Sequence, residues 1–134
     1  MPERVFSSGD HTGQNPPWYW RKGLHDALIL RVEAIQLSYD YTQKNPRRTC
    51  LKIYLDASQA MFDTTVASIS LYNYKILVDE SDNGGYGDGL DGCYWMQDHL
   101  RIENGKYLLE ITALGEDDFR YIIRFEDAEV QRTI

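Results

Sequence analysis

From residue 28 onward the chain repeats apolar and polar positions with a period of two rather than 3.6, the mark of extended strands. Leu28, Leu30, Val32 and Ala34 fall on one face of a first run, while Ile35, Leu37 and Tyr39 continue on the opposite parity. One extra residue flips every later side chain, so this switch predicts a bulge or bend near 32–35. Asn45, Pro46, Arg47 and Arg48 mark a turn. Leu51, Ile53 and Leu55 then alternate with Lys52, Tyr54 and Asp56 as a half-buried strand. Residues 57–65 have room for one helical turn, too short to stand unaided. Ile69 and Leu71 open a further strand, expected to run to about Val78.

An apolar run resumes at Cys93, Tyr94, Trp95 and Met96 after a Gly/Asp loop. Asn104-Gly105 then separates His99-Leu100-Arg101-Ile102 from Lys106-Tyr107-Leu108-Leu109. A type I′ turn needs positive φ at both central residues, which Asn-Gly supplies, so this is the strongest local signal for a hairpin. Gly115 to Asp118 makes another turn, and Phe119, Tyr121, Ile123 and Phe125 alternate through a last strand reaching about Val130. The expectation is an all-β fold: an antiparallel β-sandwich or barrel of six to seven strands with at most one short helix. Residues 1–17, rich in Ser, Gly and Pro, read as a flexible tail. Residues 18–134 read as a single β domain.

Composition narrows the function classes. The 134 residues include 3 Trp, 10 Tyr and 4 Phe, enough apolar surface for one core. No apolar run approaches the roughly 18–20 residues of a membrane-spanning helix. The net charge of −7 is uneven. Residues 1–50 carry 7 Lys/Arg against 5 Asp/Glu (+2), and residues 51–134 carry 7 against 16 (−9). Such a field repels nucleic-acid phosphate and anionic lipid and favours a basic protein or a cation. Cys50 and Cys93 are the only cysteines, and the N-terminus lacks the apolar core of a signal peptide. A reduced, cytoplasmic protein is therefore expected.

Four groups of residues merit attention as sites. Trp18, Trp20, His25 and Asp26 lie just before the first strand, where Asp26 is able to orient the imidazole for acid–base work. The structural alternative is that both Trp residues cap the core while His25 and Asp26 bond turn amides. The loop from Asp79 to Gly92 holds Asp79, Asp82, Asp88 and Asp91, with partial likeness to calcium loops. Its twelfth position is Leu90, where an EF-hand needs Glu, so no cofactor is expected. His99, beside Asp98 and near Trp95, joins His25 as a weaker acid–base or metal candidate, with Cys50 and Cys93 as further ligands only if the fold gathers them. Finally, strand tyrosines (Tyr39, Tyr41, Tyr54, Tyr72, Tyr74, Tyr94, Tyr107 and Tyr121) suit either sheet packing or a recognition face.

The run Trp18-Tyr19-Trp20-x-x-Gly23-Leu24-His25-Asp26-Ala27, with Phe62-Asp63-Thr64-Thr65-Val66 and Leu71-Tyr72-Asn73-Tyr74-Lys75-Ile76-Leu77, resembles a family of small bacterial proteins over roughly residues 18–130. The resemblance implies a bacterial cytoplasmic protein and brings no activity with it. By size and charge, small acidic proteins of this kind are sometimes immunity-like partners. The leading expectation is a non-enzymatic module that binds a basic protein through a tyrosine-rich, acid-rimmed face, with Trp18, Trp20, His25, Asp26, Trp95, Tyr72 and Tyr74 as contact residues. The alternative is a small enzyme or ligand binder with its pocket around Trp18, Trp20, His25 and Asp26. Open strand edges are also compatible with a homodimer.

Overall fold

The computed structural model describes residues 5–7, 24–37, 42, 47–61, 65–81, 89–115 and 117–133. These form nine strands: β1 (Val5–Ser7), β2 (Ala27–Gln36), β3 (Thr49–Asp56), β4 (Val66–Tyr72), β5 (Lys75–Asp79), β6 (Tyr94–Glu103), β7 (Lys106–Leu114), β8 (Asp118–Phe125) and β9 (Asp127–Arg132). Eight of them follow one antiparallel path, β5-β8-β7-β6-β2-β3-β4-β9, and β1 pairs with β6. The path ends, β5 and β9, are not bonded to each other, so the sheet is open. The all-β antiparallel class is as expected, with more strands than the six or seven anticipated. No helix occurs among the described residues, and residues 57–60 make a single turn closed by Ala60 N–H to the Ala57 carbonyl at 2.9 Å. Val5–Ser7, inside the stretch expected to be a tail, pairs with His99 to Arg101.

Two expected long strands are each broken once, and the breaks coincide. β4 and β5 are separated by Asn73 and Tyr74, and β8 and β9 by Glu126. Because β4 pairs with β9 and β5 with β8, these four strands form one long ribbon that turns a corner. Ile69 and Leu71 point into the core before the corner, Tyr74 and Ile76 after it. On the partner strand the inward set shifts from Tyr121, Ile123 and Phe125 to Ala128 and Val130. Both strands gain one residue at the bend, so both keep their apolar side on the same core. Asn73 makes the turn with φ of 53°, a left-handed conformation that Asn tolerates better than most residues. Its Oδ1 accepts N–H groups of Arg48 (2.7 Å) and Thr49 (3.3 Å), and its Nδ2 donates to Glu126 Oε2 (2.9 Å). One side chain thus ties β3 to both arms of the ribbon.

A single core receives side chains from both halves of the path, including Ile29, Ile53, Ile69, Trp95, Ile111 and Phe125. The sheet therefore curls until its two halves share one interior. Each fully buried Leu, Ile or Phe contributes about 1.5–3 kcal/mol through removal from water. The inner face of β2 differs from expectation. Ala27 and Ile29 are fully buried, whereas Leu30 is 52% exposed. The bulge lies between Ile29 and Arg31, earlier than 32–35, and only beyond it does Val32 pack against the core. The Asn104-Gly105 hairpin has both predicted positive φ values, 51° and 76°.

Candidate functional site

The residues before β2 form a turn whose polar groups are committed to neighbouring strands. Asp26, with φ of 73°, donates its N–H to the Trp95 carbonyl, and Ala27 donates to the Leu24 carbonyl, both at 2.8 Å. The His25 carbonyl accepts the Met61 N–H at 2.8 Å. The ring of His25 donates from Nδ1 to the Met96 carbonyl at 2.8 Å, inside the β6 bulge between Trp95 and Gln97. Its Nε2 lies 3.6 Å from Asp26 Oδ1, with the side chains 38% and 51% exposed. The carbonyl fixes which nitrogen carries the hydrogen, leaving the other beside a carboxylate.

The other anticipated residues are dispersed. Trp18, Trp20, Asp82 and Asp88 lie outside the described residues. Trp95 is fully buried and donates its indole N–H to Asp98 Oδ2 at 2.8 Å. His99 is exposed on β6, opposite Glu110 of β7 and Ser7 of β1. Asp79 accepts the Ser81 N–H, and Asp91 accepts the Val32 N–H. Cys50 and Cys93 are free and buried, and burial raises both thiol pKa values. Among the described residues no three His, Cys, Asp or Glu side chains come together as a metal set.

The tyrosines also divide. Tyr121 is core, Tyr107 stacks on Phe125 at 5.5 Å, and Tyr74 packs against the core. Tyr72 lies under the Arg47 guanidinium at 4.0 Å and donates its hydroxyl to Glu129 at 3.2 Å. Arg47 also pairs with Asp127 and Glu129; burial opposes its charge, but these hydrogen bonds raise its pKa. Nearby, a polar cleft of about 430 Å³ lies between the hairpin tip (Asn104, Lys106) and the corner (Asn73, Glu126, Asp127). Its charges are internally matched, with Lys106 Nζ 3.6 Å from Glu126.

Strand register assembles one further feature, on the outer surface where β2 meets β6. Asp56 stands opposite Leu28, Leu28 opposite Tyr94, Tyr94 opposite Leu114, and Leu114 opposite Asp118. Their neighbours Leu55, Ala27, Trp95, Ala113 and Phe119 all belong to or pack on the core, so alternation turns this row outward. The result is carboxylate, leucine, tyrosine, leucine, carboxylate across five strands. Tyr94 at its centre is 47% exposed, and the bulged Leu30 is exposed on the neighbouring stretch of β2. Hydrogen bonds from the Ser58 hydroxyl and N–H hold the Asp56 carboxyl below the ordinary carboxylate range, so it stays ionised. Its two ends come from segments 62 residues apart in sequence, Asp56 and Asp118. The sequence pattern did not reveal it.

No family model, curated protein or solved structure matches the chain. No helix among the described residues is long and apolar enough to cross a membrane.

Proposed function

We propose that the protein is a non-enzymatic recognition module that binds a basic protein through the outer row centred on Tyr94. The observation that carries this reading is the row itself: an exposed aromatic between two leucines, closed at each end by a carboxylate. Aromatic anchors give large contact area at low entropy cost, and surrounding charge sets partner choice and encounter rate. The net charge of −7 adds long-range attraction for a cationic partner. Free, buried Cys50 and Cys93 are in keeping with a reducing compartment such as the cytoplasm.

The test is retention of purified basic proteins by wild type and Tyr94→Ser, at ionic strengths of about 0.01 M and about 0.5 M. The reading expects retention by wild type at low salt, release at high salt, and loss in Tyr94→Ser. Binding that ignores both salt and the substitution overturns it. A second reading, an acid–base or small-ligand site around Trp18, Trp20, His25 and Asp26, is favoured by the His25 ring alone, held at Nδ1 and facing Asp26 at Nε2. A bell-shaped pH profile for turnover of any substrate, abolished in His25→Gln, is its signature.

A further inference from the structure

Independently of the Tyr94 row, we infer that the outer face of β5 and β8 holds a phosphate monoester between Lys75 and Arg124. The inference comes from the register of these two neighbouring strands, in which Lys75 stands directly opposite Arg124. Tyr74 and Ile76, on either side of Lys75, pack against the core, and Ile123 and Phe125, on either side of Arg124, belong to it. Alternation therefore turns both cations outward. Their β-carbons are about 4.5–5.5 Å apart, a position in which like charges destabilise a sheet. The row continues with Leu108 opposite Arg124 and Arg101 opposite Leu108, and it supplies no carboxylate.

The nearest carboxylates are committed to other cations. Two residues from Arg101, Leu108 and Arg124 along the chain stand Glu103, Glu110 and Glu126. Glu103 lies 3.6 Å from Arg101, Glu126 lies 3.6 Å from Lys106, and Glu110 lies 3.5 Å from Arg120. The positions two residues from Lys75 are Asn73 and Leu77. Among the described residues neither Lys75 nor Arg124 has an acidic partner within ion-pair distance. In a chain with 21 acidic residues to 14 basic ones, this leaves an unbalanced cation pair that a bound anion would relieve. A phosphate monoester carries about −1.5 to −2 charge at pH 7 and three terminal oxygens, so it balances both cations. The Arg124 guanidinium takes two oxygens as a fork and the Lys75 ammonium takes the third. A carboxylate or a phosphodiester brings one negative charge and leaves one cation unmatched. A nucleic-acid strand also meets the repulsion of the whole molecule, so a single small group is the fitting ligand.

The experiment titrates the full chain, labelled with 15N, with three probes at about pH 7 and low salt: acetyl-phosphoserine-amide, adenosine monophosphate and acetyl-glutamate-amide. Both phosphate monoesters are expected to shift the amides of Lys75 and Arg124. Each should bind about fivefold tighter than the glutamate probe, the contribution of one added solvated ion pair. The tighter of the two esters identifies a phosphorylated side chain or a nucleotide as the source, and equal binding shows that the phosphate alone is read. Lys75→Gln and Arg124→Gln should each remove the preference for phosphate, and retained amide dispersion shows that these variants are folded. Lys75→Glu, which gives Arg124 an acidic partner within the sheet, should abolish phosphate binding and raise the urea midpoint. Glutamate binding as tightly as the esters overturns the inference, as do esters that leave both amides unmoved at millimolar concentration. A lowered urea midpoint in Lys75→Glu overturns it as well, because the cation pair would then not be an unbalanced one.

Discussion

Asn73 gives the most informative single perturbation of the fold, because its backbone and side-chain roles separate in two substitutions. Asn73→Gly removes the acceptor for Arg48 and Thr49 and the donor to Glu126 but tolerates φ of 53° without strain. Asn73→Ala loses the same three bonds and also holds an alanine in the left-handed region. Hydrogen bonds near the surface contribute at the low end of the usual range, about 0.5 kcal/mol each, so the Gly variant should lose about 1.5 kcal/mol. The left-handed conformation adds about 1 kcal/mol or somewhat more for Ala, giving a loss of about 2.5–3 kcal/mol. Urea unfolding followed by tryptophan fluorescence measures both. A Gly variant less stable than the Ala variant, or losses under about 0.5 kcal/mol in both, refutes the account of the corner.

Ile29→Ala should cost about 2–4 kcal/mol in urea unfolding while Leu30→Ser stays within about 0.5 kcal/mol, because the bulge leaves Ile29 buried and Leu30 exposed. The opposite ranking would restore the sequence-based facing of β2. Gly105→Ala should lose about 1 kcal/mol from its φ of 76° alone, since nothing lies within 4 Å of the added methyl; a null result in thermal unfolding would show that the type I′ turn is not strained by a side chain. Burial raises the thiol pKa values of Cys50 and Cys93 above the ordinary 9.0, so the unfolded chain ionises first. Their contribution is full below that pH and is lost as pH climbs through the raised values in the folded state. The urea midpoint should fall above about pH 9, less so in Cys50→Ala with Cys93→Ala, and an identical alkaline fall in that variant contradicts the burial effect.

What the sequence reveals depends on how local the deciding interaction is. Asn104-Gly105 is legible because two adjacent residues carry the whole turn requirement. The alternation of Leu51, Ile53 and Leu55 is legible because the extra residue of the bulge opposite Leu55 and Tyr54 belongs to β2, and β3 itself alternates unbroken. β2 misleads: Leu28 and Leu30 look as apolar as Ala27 and Ile29, and a bulge placed two to five residues too late exchanges inside for outside. The corner at Asn73 and Glu126 is hidden because Tyr74 and Ile76 are apolar on the new parity, just as Leu71 was on the old one. For the site, His25 and Asp26 stand out by residue type, but the group that fixes the ring is the Met96 carbonyl, and a backbone carbonyl has no signature in the sequence. The Tyr94 row needs four strand registers at once, none of which any single segment encodes.

The central claim is that one face, rather than the acidity of the whole molecule, selects a basic partner. Two double variants separate these, each removing two negative charges: Asp56→Asn with Asp118→Asn on the row, and Glu33→Gln with Glu103→Gln away from it. The measurement is the affinity of each for poly-L-lysine by isothermal titration at low salt. The account predicts about a fivefold loss for the row variant and little change for the other. Equal losses in the two would show that only net charge attracts the polycation and would contradict the assignment of the face.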